Sequence, residues 1–253
     1  MQILLFFNLL LAHLVADFWL QPPKMLEDKK TKRCLGWGAY AHAAVIGTCS
    51  WIAVGERYFW PLAVLVCATH FLIDELRLRQ KNRYFWPLIC DQFAHACVLA
   101  FVAYEYGPHW KQFSFLEESW GLLLPVFSCG FVFLTIPANV LIREFFEFIK
   151  EAPPERVMFL CNEKGKDDTD DSFRIKRAGF VIGILERIMI FVLVYVGCYQ
   201  AVGFLVTAKS ILRYRDSTGA KAEYVLVGTL FSVSLAIVVA ELLKRIPRIF
   251  FNS

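Results

Sequence analysis

Charge is what this chain has little of: only 20% of its 253 residues are Asp, Glu, Lys or Arg, while 57% are hydrophobic and 24 are phenylalanine. That balance excludes an ordinary soluble domain, whose surface needs far more polar side chains. Paired cysteines are missing as well. The eight cysteines (34, 49, 67, 90, 97, 129, 161 and 198) form no Cys-x-x-Cys motif, and five fall inside apolar stretches, so reduced structural thiols are expected. The first twenty residues lack a basic leader region and a small-residue cleavage motif, and they carry His13 and Asp17, so a membrane span is expected there and not a cleaved signal. Basic residues lie between apolar segments and the net charge is a modest +4, which argues against nucleic-acid binding.

What the chain does have is a succession of apolar segments. A hydrocarbon core about 30 Å thick takes roughly 20 helical residues to cross. Such segments lie near 3–20, 36–55, 59–76, 86–104, 120–142, 178–197, 199–213 and 222–243, predicting an all-α, polytopic transmembrane bundle of about seven or eight spans. Residues 178–213 fit either two spans or one bent helix, since Gly197 and Gly203 permit a turn without forcing it. Three regions follow: an N-terminal bundle (1–142), an interfacial helix with a polar linker (143–177), and C-terminal membrane segments (178–253).

Lys24, Lys29, Lys30, Lys32 and Arg33 crowd one connection, and Arg77, Arg79, Lys81 and Arg83 another, which places both on the cytoplasmic side. The basic residues of 143–177 agree with five spans from an outside N-terminus, whereas Lys244, Arg245 and Arg248 leave the number of crossings in the last third open. Arg-Tyr-Phe-Trp-Pro-Leu occurs at 57–62 and again at 83–88, which is expected grammar for a helix start, with Pro in the first turn and aromatics at the interface. The acidic run Asp167, Asp168, Asp170 and Asp171 lacks the central Gly and closing Glu of a calcium loop, so a solvated linker is expected.

Four of the five histidines and three aspartates fall inside predicted spans: His13 and Asp17, His42, His70 and Asp74, Asp91 and His95. One aspartate at the centre of a spanning helix costs about 2.5–3.5 kcal/mol, so three unpaired ones would cost on the order of 9 kcal/mol. Three pairs are spaced four residues apart, which sets both members on one helical face. The orientation deduced from Lys and Arg alone brings all seven to a similar depth near the cytoplasmic leaflet. Three aspartates and four neutral histidines carry −3, which one divalent ion leaves at −1 and two bring to +1, so two ions of zinc, manganese or iron are expected. Asp17 or Asp91 could serve as general base instead of as a ligand. Interhelical His–Asp hydrogen bonding without metal is the structural alternative.

Glu186 and Arg187 sit about 12 Å into the sixth span by the helical rise, with Lys209 and Arg213 on one face of the next segment. Either they pair with one another, or the cations grip a phosphate or lipid headgroup.

At these residues the chain resembles the domain of unknown function 3307 family of bacterial polytopic membrane proteins. The resemblance rests on His-Leu-Val-Ala-Asp-Phe-Trp-Leu-Gln at 13–21, His-Phe-Leu-Ile-Asp at 70–74 and Asp-Gln-Phe-Ala-His at 91–95, and it continues at 183–187, 208–213 and 228–232. It implies a bacterial inner-membrane location and supplies no established reaction. More distantly, the His and Asp pattern is similar to that of membrane-bound metal-dependent hydrolases. Three functions are expectations on this basis: a metal-dependent hydrolase of a phosphoester of a lipid or other anionic amphiphile, a metal transporter or sensor, and a scaffold for a cytoplasmic partner. Outward of the cluster the side chains are mostly Phe, Leu, Val and Ala, with Asn8 and Thr48 the exceptions, which favours a one-sided site over a pore.

Overall fold

Proline and glycine punctuate the chain where the helices change direction. The computed structural model describes residues 1–80, 85–110, 118–148, 170–216 and 220–251, and among these every regular element is helical. The order is α1 (Gln2–Phe18), α2 (Pro23–Lys32), α3 (Trp37–Val54), α4 (Trp60–Arg79), α5 (Phe85–Tyr106), α6 (Glu118–Phe133), α7 (Ile136–Phe148), α8 (Asp170–Val196), α9 (Tyr199–Asp216) and α10 (Ala220–Phe251). Pro22 is extended, ending the α1 path, and Pro23 opens α2, because its fixed φ and missing N–H suit a first helical turn. Gly55 closes α3 in the left-handed region (φ 73°), where a side chain would be strained. Gly197 (φ 89°) does the same after α8, so residues 178–213 form two helices and not one bent rod. The backbone of α8 begins at Asp170, while the side chains of Asp170 and Asp171, and the whole of Asp167 and Asp168, lie outside the described residues.

Among the described residues four helices are long and apolar enough to cross a membrane: Arg57–Arg79, Phe85–Tyr106, Gly179–Val196 and Leu226–Ile246; the number rises to six if α1 with Pro23–Leu35, and the α6 segment with α7, each count as one broken span. Fewer segments qualify than the seven or eight expected. His42, Ser50 and two glycines dilute α3, and Lys209, Arg213, Arg215 and Asp216 dilute α9. Both Arg-Tyr-Phe-Trp-Pro-Leu copies lead into helices, α4 with Pro61 in its first turn and α5 with Pro87 near its start.

The chain divides into two units, Met1–Val132 and Phe133–Ser253. In the first, α1 and α4 each pack against α3 and α5, closing a four-helix ring. Leu5, Leu9, Ile46, Val66, Leu99 and Val102 are buried on the four helices of that ring, all nearly inaccessible. Gly47 lets α3 approach α4 closely: a Cβ there would meet Cys67 Cβ at 3.0 Å and the Ala63 carbonyl at 3.1 Å. Outward, Trp60, Val64, Leu72, Leu76, Trp86, Phe93 and Phe101 are exposed, an apolar surface suited to lipid and costly in water.

Helix α2 turns 82° away from α1 and lies on α3. With Lys24, Glu27, Asp28, Lys29, Lys30 and Lys32 among its ten residues, it is too polar and too short to cross a membrane by itself. Two glycines clamp it down. A Cβ on Gly38 would stand 2.4 Å from the Met25 carbonyl oxygen, and one on Gly36 at 2.4 Å from Asp28 Oδ2. The Gly38 N–H donates to that same Oδ2 at 2.8 Å, and Lys32 pairs with Oδ1 at 2.8 Å; the lysine first, then the N–H, hold the Asp28 carboxyl below its usual range. Gly38→Val should therefore lift α2. We expect a loss of about 1–3 kcal/mol from overpacking against backbone, and faster tryptic cleavage within 24–33, read by limited proteolysis.

In the second unit α8 lies along α10, α9 contacts both, and α7 packs on α10. Among the described residues Leu134, Ala138, Phe146, Phe191, Val194, Ala236 and Ala240 are its fully buried apolar side chains, and a Cβ on Gly228 would stand 3.1 Å from the Phe146 ring.

Candidate metal centre

The ring of α1, α3, α4 and α5 brings all seven predicted side chains to one place. Helix α1 runs toward α2 and offers His13 and Asp17 near its end; α3 returns and offers His42 near its start; α4 supplies His70 and Asp74 late, and α5 supplies Asp91 and His95 early. Six of the seven are buried, and Asp17 is half-buried with its carboxylate mostly covered.

His70 is at the middle. Its Nε2 lies 3.1 Å from His42 Nε2 and 3.3 Å from Asp74 Oδ2. His42 Nε2 also lies 3.0 Å from Asp17 Oδ1 and 3.8 Å from Asp74 Oδ2. The His70 and His95 rings stack at 4.1 Å, and His13 sits beside them at 5.3 and 4.9 Å. His95 Nε2 is 3.6 Å from Asp91 Oδ1 and 3.9 Å from Asp74 Oδ1, beyond hydrogen-bond reach. Two groups of three, Asp17 with His42 and His70, and His70 with Asp74 and His95, place their ligand atoms within 4.8 Å of one another and could each hold an ion.

Two observations test the fit of a metal. Donors bound to one zinc at about 2.0–2.1 Å stand roughly 3.3 Å apart in a tetrahedron, and the His42–Asp17, His42–His70 and His70–Asp74 separations of 3.0, 3.1 and 3.3 Å lie close to that. Buried nitrogens are also left over. His13 Nε2, His42 Nδ1, His70 Nδ1 and His95 Nε2 have no hydrogen-bond partner, an expensive condition that a bound cation or water relieves. A cavity of about 10 Å³, room for one small species, is lined by His13, Thr69, His70 and His95 with Val66, Val98 and Leu99.

The carboxylates, by contrast, are already partnered, and here the sequence reasoning missed three residues. Lys29 reaches from α2 and pairs with Asp74 Oδ2, with only 6% of the lysine exposed. Arg77 Nη1 donates to Asp91 Oδ2 at 3.2 Å, and Gln92 bridges Asp17 Oδ2 (3.1 Å) and Asp91 Oδ2 (3.2 Å). The available signal for Lys29 was the 25, 28, 29 spacing, which puts Met25, Asp28 and Lys29 on one buried face of α2. Arg77 sits three residues past Asp74, and Gln92 is inside the Asp-Gln-Phe-Ala-His motif. Including Lys29 and Arg77, the protein charge of the cluster is −1 and not the −3 on which two ions were expected.

The second polar set belongs to the other unit. Glu186 and Lys209 form an ion pair between α8 and α9. Arg187, 2% exposed, donates from Nε to the Leu134 carbonyl at 2.8 Å, from Nη2 to the Thr135 carbonyl at 3.5 Å and from Nη1 to Ser232 Oγ at 3.3 Å. Those carbonyls lie at the break between α6 and α7, where helical hydrogen bonding is interrupted, so Arg187 ties that break to α8 and α10. The Arg213 side chain lies outside the described residues, although its backbone is helical in α9. The cysteines at 34, 49, 67, 90, 97, 129 and 198 are all free.

Fold and site together define a class: an all-helical protein with four to six helices long and apolar enough to span a membrane, and a buried His/Asp cluster able to hold metal. Residues 5–123, or 119 of the 253, match the family described as protein of unknown function (DUF3307). The match takes in every helix that builds the cluster and ends before 183–187, 208–213 and 228–232, where resemblance was also expected. No curated protein and no solved structure matches the chain.

Proposed function

We propose that the chain is an integral protein of the bacterial inner membrane, and that its His/Asp cluster is a divalent-metal centre at the cytoplasmic leaflet that hydrolyses a phosphoester of an anionic amphiphile. The observation that carries the metal is the set of 3.0–3.3 Å separations linking Asp17, His42 Nε2, His70 Nε2 and Asp74, with His13 Nε2 and His95 Nε2 buried beside them without partners. The leaflet assignment rests on α2, which lies across the end of the ring and sends Lys29 into the cluster from the polar side. Seven or eight crossings require α3 and α9 to cross too; α3 lies between α1 and α4 in the ring, which supports its crossing.

A divalent ion supplies Lewis acidity and a source of hydroxide near neutral pH. Asp91 is the better general base of the two aspartates, because its Oδ1 is buried without a hydrogen-bond partner, whereas His42 and Gln92 engage both oxygens of Asp17. Arg77, 28% exposed at its side chain, is placed to meet an arriving phosphoryl group. Lys209 and Arg213 are proposed as headgroup contacts only, and Arg187 is already engaged with carbonyls.

A specific observation favours a second reading. All three carboxylates have protein donors, so the cluster could lock the ring as a hydrogen-bonded network, with the polar segment 143–177 recruiting a partner. The deciding experiment is metal analysis of the purified protein with a panel of lipid and soluble phosphoesters. Stoichiometric metal and turnover are expected; metal-free protein that folds normally would end the hydrolase proposal, and flux of metal in proteoliposomes without hydrolysis would point to a transporter.

A further inference from the structure

We infer that Lys29 is a built-in cation that takes the place of a second metal ion, so that the centre holds one divalent ion, on Asp17, His42 and His70. This rests on the metal reading above and specifies its stoichiometry. The two possible ligand groups share His70 and differ in needing Asp17 with His42, or Asp74 with His95. In the second group Asp74 Oδ2, the oxygen nearest His70 Nε2, is the one that Lys29 Nζ holds. Oδ1 lies 3.9 Å from His95 Nε2. An ion in that group would have to share the Asp74 carboxylate with an ammonium, and two cations that close in a buried site repel strongly.

The lysine is held there by construction. Lys29 belongs to a helix whose register is set by the Gly38 N–H bond to Asp28 and by glycine contact with the Met25 carbonyl, so its side chain cannot swing away without unseating α2. The first group has no such competitor: Asp17 Oδ1 meets His42, Oδ2 accepts from the neutral Gln92, and no cationic side chain contacts either oxygen among the described residues. Charge agrees with geometry. With Lys29 and Arg77 counted, one divalent ion brings the cluster from −1 to +1, while two would leave +3 in a water-poor interior.

The test is zinc titration of metal-stripped full-length protein in detergent, followed by native mass spectrometry and elemental analysis. The expected result is one ion per chain in the wild type and in Lys29→Arg, rising to two in Lys29→Met, with Lys29→Gln as a second neutral variant if methionine prevents folding. Two ions in the wild type overturn the inference, as does a single ion in a folded neutral variant at saturating zinc. No ion in any of them removes the metal centre itself, a different failure.

Discussion

Asp74→Ala should lower stability by about 3–5 kcal/mol, the usual cost of removing one partner of a buried ion pair. The carboxylate is buried and pairs with Lys29 and His70, with His42 and His95 further off at 3.8 and 3.9 Å. Once it is gone, Lys29 is left as a charge in a site from which α2 cannot readily withdraw it. Most of the loss comes from that orphaned ammonium and little from the attraction that disappears. Adding Lys29→Met to the alanine variant should therefore restore a large part of the stability, and the double-mutant cycle should show coupling above about 1 kcal/mol. Denaturant unfolding in detergent measures both. Independent, additive effects would mean that Lys29 finds another partner, and the contact with Asp74 would then carry no structural weight.

The contrast between this pair and the histidines shows which parts of the site were legible in the sequence. Pairs such as His70 with Asp74 announce themselves, because spacing by four fixes them on one helical face whatever the tertiary arrangement. Antiparallel neighbours then bring those faces to one level, and the four-helix ring does so. Lys29 looked like a loop charge because its partner is 45 residues away, and no periodicity within α2 names that partner. Counting only the apolar spans therefore left Lys29 and Arg77 out of the charge on which two ions were expected. Arg187 was conspicuous for its depth, but its partners are main-chain carbonyls of Leu134 and Thr135. A sequence spells out side chains and does not mark where a helix will break, so the expected partners were a charged side chain or a headgroup; the ion pair forms at Glu186 and Lys209, while Arg187 binds main chain. Segment 149–169, which held part of the expected interfacial helix and linker, lies outside the described residues.

His70→Phe separates a metal centre from a hydrogen-bonded lock. His70 is common to both ligand groups, and phenylalanine keeps a flat ring for the contacts with His95 (4.1 Å), His42 (5.0 Å) and His13 (5.3 Å) while removing both nitrogens. Asp74 stays in place to hold Lys29, so the fold should survive with a loss near ~1–2 kcal/mol from the bonds to His42 and Asp74. Bound metal, however, should fall from stoichiometric to background. Chelation gives the matching readout. A ligand present at about a thousand times its dissociation constant stabilises the native state by about 4 kcal/mol, so the wild type should melt at lower temperature after metal is stripped and recover on reloading. The phenylalanine variant should melt identically in both conditions, close to the stripped wild type. If stripping leaves the wild-type transition unmoved, the imidazoles are meeting one another and not an ion, and the cluster joins α1, α3, α4 and α5 through hydrogen bonds and ion pairs without metal.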